Sequence, residues 1–216
     1  MPRLIVINGP PACGKSTMAQ MYAASHPLAL VPDIDRIRGC PGRWREDLPA
    51  AGRAARAIAL AAAREHLRAG HDVIVPQVLA RPGFLTGLEN AARDTGAAFA
   101  EIVLLAGKAD MLRAFTDRAA PARPADTAAR DLAGHPGSDA DLTAMHDRLT
   151  ALLATRPGAM IVPVTPGQPS LTCAAMLAAL DDQPGPAPAG HFPVTENHAV
   201  RLANSPRPPI IRDVSY

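Results

Sequence analysis

Residues 7–17 read INGPPACGKST. Gly9, four intervening residues and then Gly14-Lys15-Ser16 have the spacing of a Walker A loop. The chemistry of such a loop is phosphate binding. Glycines let the backbone curl until successive N–H groups face one centre, and a helix opening at Lys15 adds positive potential there. The expected nucleotide contacts are Gly9, Pro10, Pro11, Ala12, Cys13, Gly14, Lys15, Ser16 and Thr17. Lys15 offers a charge that follows the β- and γ-phosphates, and Ser16 offers a hydroxyl to Mg²⁺. ATP and Mg²⁺ are therefore the expected cofactors. Cys13 sits where the backbone does the binding; a thiol with a lowered pKa at the helix start is the alternative.

A second cluster lies in VPDIDRIRG, residues 31–39. Asp33 and Asp35, two apart after an apolar run, can reach the sheet edge where phosphates lie. Phosphoryl transfer to a hydroxyl needs a group that takes or orients the hydroxyl proton, and acidic support for the metal. Asp35 is the preferred base and Asp33 the preferred metal ligand, although either aspartate fits either role. Both can instead cap a helix beginning near Arg36. Arg38 either contacts the acceptor or salt-bridges within a helix.

Further along, Gln77 and Arg81 follow a strand-like run and are expected to line the acceptor pocket. Trp44, the one tryptophan, can stack on a flat substrate or serve as a packing anchor. Arg113, Arg118, Arg123 and Arg130 fall between the last two strand-like runs, where a lid is expected. Arginine forks there would offset the charge that spreads over a transferring phosphoryl group as the lid closes. Arg118 and Arg123 are the foremost candidates. The alternative is solvated arginines paired with Asp117, Asp126 or Asp131. The seven histidines show no metal-ligand spacing.

The elements that must position these residues alternate regularly. RLIVI (3–7), LALVPD (28–33), DVIVP (72–76), AFAEIVLLA (98–106) and MIVPV (160–164) read as five buried strands. Helices are expected over about 15–24, 50–69, 82–95, 108–119, 139–155 and 169–181, with Gly70 and Gly96 ending two of them. The fold class is α/β, a five-stranded parallel sheet with helices on both faces and ligands at the carboxyl ends of its strands. The expected domain is 1–182 with a lid at about 118–137, followed by a Pro-rich extension over 183–216.

The loop INGPPACGKST, then DIDRIRG, Trp44, VIVPQVLARPGFL (73–85) and EIVLLAGKADMLRAFTDRA (101–119) resemble the P-loop small-molecule kinases. That group includes chloramphenicol phosphotransferase, gluconate kinase, zeta toxins and polynucleotide kinase, and the likeness is strongest to tunicamycin-resistance ATP-binding proteins. It spans about residues 3–180. The resemblance implies a P-loop NTPase fold with an arginine-bearing lid, and ATP-dependent phosphorylation of a hydroxyl. It also implies an acceptor-facing aspartate at Asp35 or Asp33. One departure stands out: the 72–76 strand runs into IVPQ, without the Walker B aspartate that motors and GTPases commonly carry there. No Asn-Lys-x-Asp guanine signature is present either.

Composition narrows the class further. Formal net charge is +2 and aromatics are 3%, which disfavours a surface built for nucleic acid. Three scattered cysteines suggest neither zinc nor a disulfide framework. No apolar run reaches the ~18 residues of a membrane span, and no leader-like segment precedes the first strand, so the expected location is cytoplasmic. The reading is an O-phosphotransferase acting on a small hydroxylated molecule, with an antibiotic of nucleoside type favoured through the resemblance. The alternatives are a polynucleotide 5′-hydroxyl kinase, through Asp35-x-x-Arg38, and a non-catalytic ATP-binding regulator. Oligomeric state, monomer or homodimer, is left open.

Overall fold

A computed structural model describes residues 1–78, 82–105, 107, 113 and 139–182. Its elements in chain order are β1 (Arg3–Asn8), α1 (Lys15–Ser25), α2 (Ile34–Arg38), a 3₁₀ turn (Trp44–Glu46) and α3 (Leu48–Arg68). Then follow β2 (Val73–Pro76), α4 (Pro82–Thr95), β3 (Ala98–Leu105), α5 (Asp139–Leu153), β4 (Met160–Pro163) and α6 (Pro169–Asp181). The helices expected at 108–119, the lid and the 183–216 extension lie outside the described residues, apart from Arg113.

The sheet is parallel throughout, in the order β2-β1-β3-β4. β1 is its buried centre: Leu4, Ile5, Val6 and Ile7 are all fully covered. Alternation sends Leu4 and Val6 into a cluster with Ala55, Ala59, Leu85 and Leu88 from α3 and α4. Ile5 and Ile7 face the opposite cluster, with Met18, Tyr22, Met176 and Leu180 from α1 and α6. A continuous apolar run is what a strand covered on both faces requires. Because β2 and β3 flank β1 on opposite sides, the strand order reverses at β1, and open α/β sheets bind ligands at the carboxyl ends beside such a point.

The expected five strands become four among the described residues, and the missing one is LALVPD. Only Leu30 pairs, as an isolated parallel bridge with Val73. Leu30 N–H donates to the Asp72 carbonyl and the Leu30 carbonyl accepts from Ile74 N–H, each at 2.9 Å. The next parallel donor would be residue 32, and Pro32 has no N–H. On the other side Leu28 has φ +62°, which takes the chain out of the extended run. The segment lies beside β2 and delivers α2, but it cannot extend the ladder.

Two polar knots hold the layers in register. Arg156, ahead of β4, donates from Nε to the nearly buried Glu101 Oε2 of β3 at 2.5 Å and from Nη2 to Glu89 Oε1 of α4 at 2.5 Å. The Tyr22 hydroxyl of α1 donates to Asp72 Oδ2 at 2.7 Å, and Asp72 Oδ1 accepts from Arg3 N–H at 2.8 Å. Burial, then the hydrogen bond to Asp72, push the Tyr22 phenol well above its ordinary value.

The fold thus holds Tyr22 neutral, whereas the unfolded chain releases the proton near pH ~10. The stabilisation from this group is complete below that pH and is lost as pH rises above it. Tyr22→Phe is expected to lower stability by about 1 kcal/mol at pH 7 through the lost hydrogen bond. It should also flatten the fall in stability above pH ~10. Urea denaturation across that range is the check; an unchanged alkaline slope would count against the linkage.

Candidate active site

β1 ends at Asn8, fully buried, whose Oδ1 accepts from Gly9 N–H at 2.8 Å. Gly9 has φ +147°, and a Cβ there would lie 2.6 Å from the Leu104 carbonyl oxygen and 2.8 Å from Cys13 Sγ. Only glycine lets the chain turn off β1 this close to β3. The loop returns through left-handed Ala12 (φ +62°) and Gly14 (φ +88°) into α1. Met18 N–H to the Gly14 carbonyl is the first turn of helical bonding, so the N–H groups of Lys15, Ser16 and Thr17 have no acceptor within the helix. The first turn of α1 carries no acidic residue.

Lys15 Nζ donates back to the Pro10 carbonyl at 2.6 Å and lies 3.8 Å from Cys13 Sγ, spanning the loop. Cys13 is nearly buried and packs into the α1 side of the core. Its side chain is therefore turned inward, as the backbone reading expects. Ser16 and Thr17 are exposed at the helix start. Curled backbone, left-handed turns, helix start and ammonium group together fit a nucleotide's phosphates.

The two aspartates divide. Asp33 is the N-cap of α2: its Oδ1 accepts from the N–H groups of Asp35 and Arg36 at 3.1 and 3.0 Å, and its Oδ2 lies 3.3 Å from Arg36 Nε. The helix it caps begins at Ile34, two residues before the expected start. Asp35 sits in the first turn, with its side chain 43% exposed, and Arg38 Nη2 lies 3.4 Å from its Oδ1. Asp35 is thus half-buried beside Arg38, while the more exposed Asp33 is engaged by backbone. Ile34, between them, is anchored in the core cluster on the α3–α4 side.

Gln77 lies at the end of β2, and its N–H donates to the Ile7 carbonyl at 3.0 Å, directly before the loop. Trp44 is half-buried in the 3₁₀ turn, and the Arg45 guanidinium covers one ring face at 4.3 Å. That leaves at most one face for stacking. Arg81, Arg118, Arg123 and Arg130 lie outside the described residues. Among the described residues no group of three or more His, Cys, Asp or Glu could hold a metal, and no helix is long and apolar enough to cross a membrane.

Sequence reasoning gave no role to Asn8, Gly52 or Arg56. Asn8 braces the turn by accepting from Gly9 N–H. Gly52 is buried within α3, where Arg56 Nη1 and Nη2 and Arg38 Cδ come within 3.7–4.0 Å of the place its Cβ would occupy. The available signal was an isolated glycine in an alanine-rich helix with an arginine one turn later.

The AAA domain family model matches residues 4–155. No curated protein matches the chain. Among solved structures, a Chloroflexus aurantiacus protein designated a kinase is 18% identical with TM-score 0.62, covering 82% of this chain and 98% of that one. A gluconokinase from Sinorhizobium meliloti is 18% identical with TM-score 0.54, covering 83% and 92%. The tunicamycin resistance protein of Deinococcus radiodurans is 17% identical with TM-score 0.52, covering 82% and 95%. At these identities the likeness is one of fold, and the family expected from the sequence is borne out.

Gly9→Ala tests the loop. A methyl group 2.6 Å from a backbone carbonyl forces the loop away from β3, at a φ that L-residues rarely adopt. The expected result is a loss of about 2–3 kcal/mol in urea denaturation and at least a tenfold weaker Mg-ATP affinity by calorimetry. Native affinity in the variant would show that the close approach is not needed.

Proposed function

The chain belongs to the AAA domain family, and from that premise we propose that it is an ATP-dependent O-phosphotransferase acting on a hydroxyl of a small molecule. One observation carries the reading. Asp35 stands half-buried beside Arg38 on a helix capped by Asp33, at the sheet end that also carries the phosphate loop. A switch or motor has no need of a second carboxylate, beyond the capping one, at this sheet end. A kinase needs one at its nucleophile.

ATP would supply the phosphoryl group, the bond from its γ-phosphorus to the ADP oxygen breaking so that ADP leaves, and Mg²⁺ when bound would offset phosphate charge. Lys15 and the loop N–H groups hold the phosphates, with the Ser16 hydroxyl as the metal's protein ligand. Asp35 accepts the proton that the acceptor hydroxyl loses as its oxygen bonds phosphorus, and Arg38 fixes the orientation of that carboxylate. Asp33, engaged in capping, supports the metal less directly than Ser16 does. Arg118 and Arg123 offset charge on the transferring group. Gln77, Arg81 and the open face of Trp44 contact the acceptor.

The fold shared with a tunicamycin resistance protein supports an antibiotic acceptor, with nucleoside types first. Fold alone does not choose the acceptor. The Asp35–Arg38 pair also favours a second reading, a polynucleotide 5′-hydroxyl kinase.

Incubation with Mg-ATP and a mixed acceptor panel, read by mass spectrometry, tests the proposal. The panel holds nucleoside antibiotics, chloramphenicol, aminoglycosides, sugars, sugar acids and a 5′-hydroxyl oligonucleotide. One small-molecule member should gain a phosphoryl mass, and Asp35→Asn should slow that transfer by about 10²–10⁴-fold with Mg-ATP affinity preserved. Transfer to the oligonucleotide alone would select the second reading. Equal transfer by the variant would remove Asp35 as base, and tight ATP binding without transfer would favour a regulator.

A further inference from the structure

β3 carries one carboxylate in an otherwise apolar run, at Glu101, which is 3% exposed. Glu101 follows Phe99 by two residues and so shares its face, the side of the sheet that packs on α3 and α4. Arg156 donates from Nε to Glu101 Oε2 and from Nη2 to Glu89 Oε1, each at 2.5 Å. That bridge leaves one atom out: Glu101 Oε1 is buried and takes no hydrogen bond among the described residues. A carboxylate oxygen held from water without a donor is costly to the fold.

Glu89, Glu101 and Arg156 line a hollow of about 390 Å³, together with Phe99 and Gly158. A second hollow of about 360 Å³ shares Glu89 and Phe99 and reaches Arg93. Each volume falls in the range of small-molecule sites, roughly 300–1,000 Å³. The lining comes from α4, the start of β3 and the turn before β4, at the amino end of the sheet. The phosphate loop leaves the opposite end. In the first hollow two carboxylates meet one guanidinium, so the lining keeps an excess of negative charge. Arg93 is exposed at the outer end and donates to Asn90 Oδ1, where solvent screens its charge. A metal ion does not suit the place, because among the described residues no three metal-ligating side chains gather. A nitrogen cation does. Its N–H groups can donate to carboxylate oxygens, and its carbon body can lie against the Phe99 ring.

We propose that this hollow binds a small organic cation, an ammonium or amidinium group on an apolar body, with Glu101 and Glu89 as its acceptors and Phe99 as its wall. Arg156 is then a positioning residue, bridging the two carboxylates and keeping them together. The site stands apart from the phosphate loop and does not rest on the kinase reading.

The experiment titrates the full chain by calorimetry with benzylamine and benzamidine, and with benzyl alcohol and benzamide as their uncharged counterparts. At least one cation should bind saturably, tenfold or more tightly than its counterpart. Glu89→Gln keeps an acceptor for Arg156 but removes a charge, and should weaken that binding at least tenfold. Gly158→Leu tests the hollow itself. No atom lies within 4 Å of the place its Cβ would occupy, so the larger side chain fills space without displacing the fold. It should also weaken the cation at least tenfold. Melting temperature and Mg-ATP affinity should stay native in both variants, which separates loss of the site from loss of the fold. Glu101→Gln should behave as Glu89→Gln does, but it alters a buried group and is read only beside the other two. No saturable binding of either cation, equal binding of the uncharged counterparts, or native cation affinity in Glu89→Gln or Gly158→Leu overturns the proposal.

Discussion

The contact on which the site depends is the approach of Gly9 to the Leu104 carbonyl. β1 is covered on both faces, so the chain leaving it must turn between its two neighbouring strands without a side chain in the way. Asn8 makes that turn repeatable, because its buried amide oxygen takes the Gly9 N–H that the ladder no longer uses. A buried N–H without that partner would disfavour the turn. Everything after it follows in sequence. The loop curls, α1 starts at Lys15, and the ammonium group spans the loop to the Pro10 carbonyl. The phosphate site is the exit of a rigid strand, and its precision derives from the sheet.

The nucleotide half was legible in the sequence because each of its demands has a residue signature. An apolar run, a spaced pair of glycines and Gly-Lys-Ser state where the strand stops, where the loop bends and where the helix begins. The helix ends near Gly70 and Gly96 were equally readable, since left-handed glycines stop helices by their own conformation. LALVPD was misread for an instructive reason. Its composition is that of a strand, but ladder formation depends on which N–H groups face the neighbour. Pro32 occupies the one position that must donate next. Composition carries no information on that register until the partner strand is known.

The aspartates show the other limit. Spacing told that two carboxylates stand together at the sheet end, but either could cap and either could act. The helix start decides which one caps. With Ile34 buried in the core, Asp33 falls at the cap and Asp35 two residues on, in the first turn beside Arg38. The apolar residue between two acids thus sets which acid is used by the backbone. Arg56 was invisible for a related reason. It is eighteen positions from Arg38 in sequence, and only the packing of α2 against α3 over Gly52 brings the two together.

The two halves of the site are therefore held by different physics. The phosphate loop is fixed by a strand with no exposed surface, so its geometry resists change at other positions. The side carrying Asp35 and Arg38 rests on five-residue α2, fixed by one cap, one buried isoleucine and its packing on α3. A helix that short has little stability of its own. Its direction is set by its neighbours, and substitutions on α3 that leave the sheet untouched can re-aim Asp35 and Arg38. One fold can then keep its nucleotide chemistry while changing what it phosphorylates.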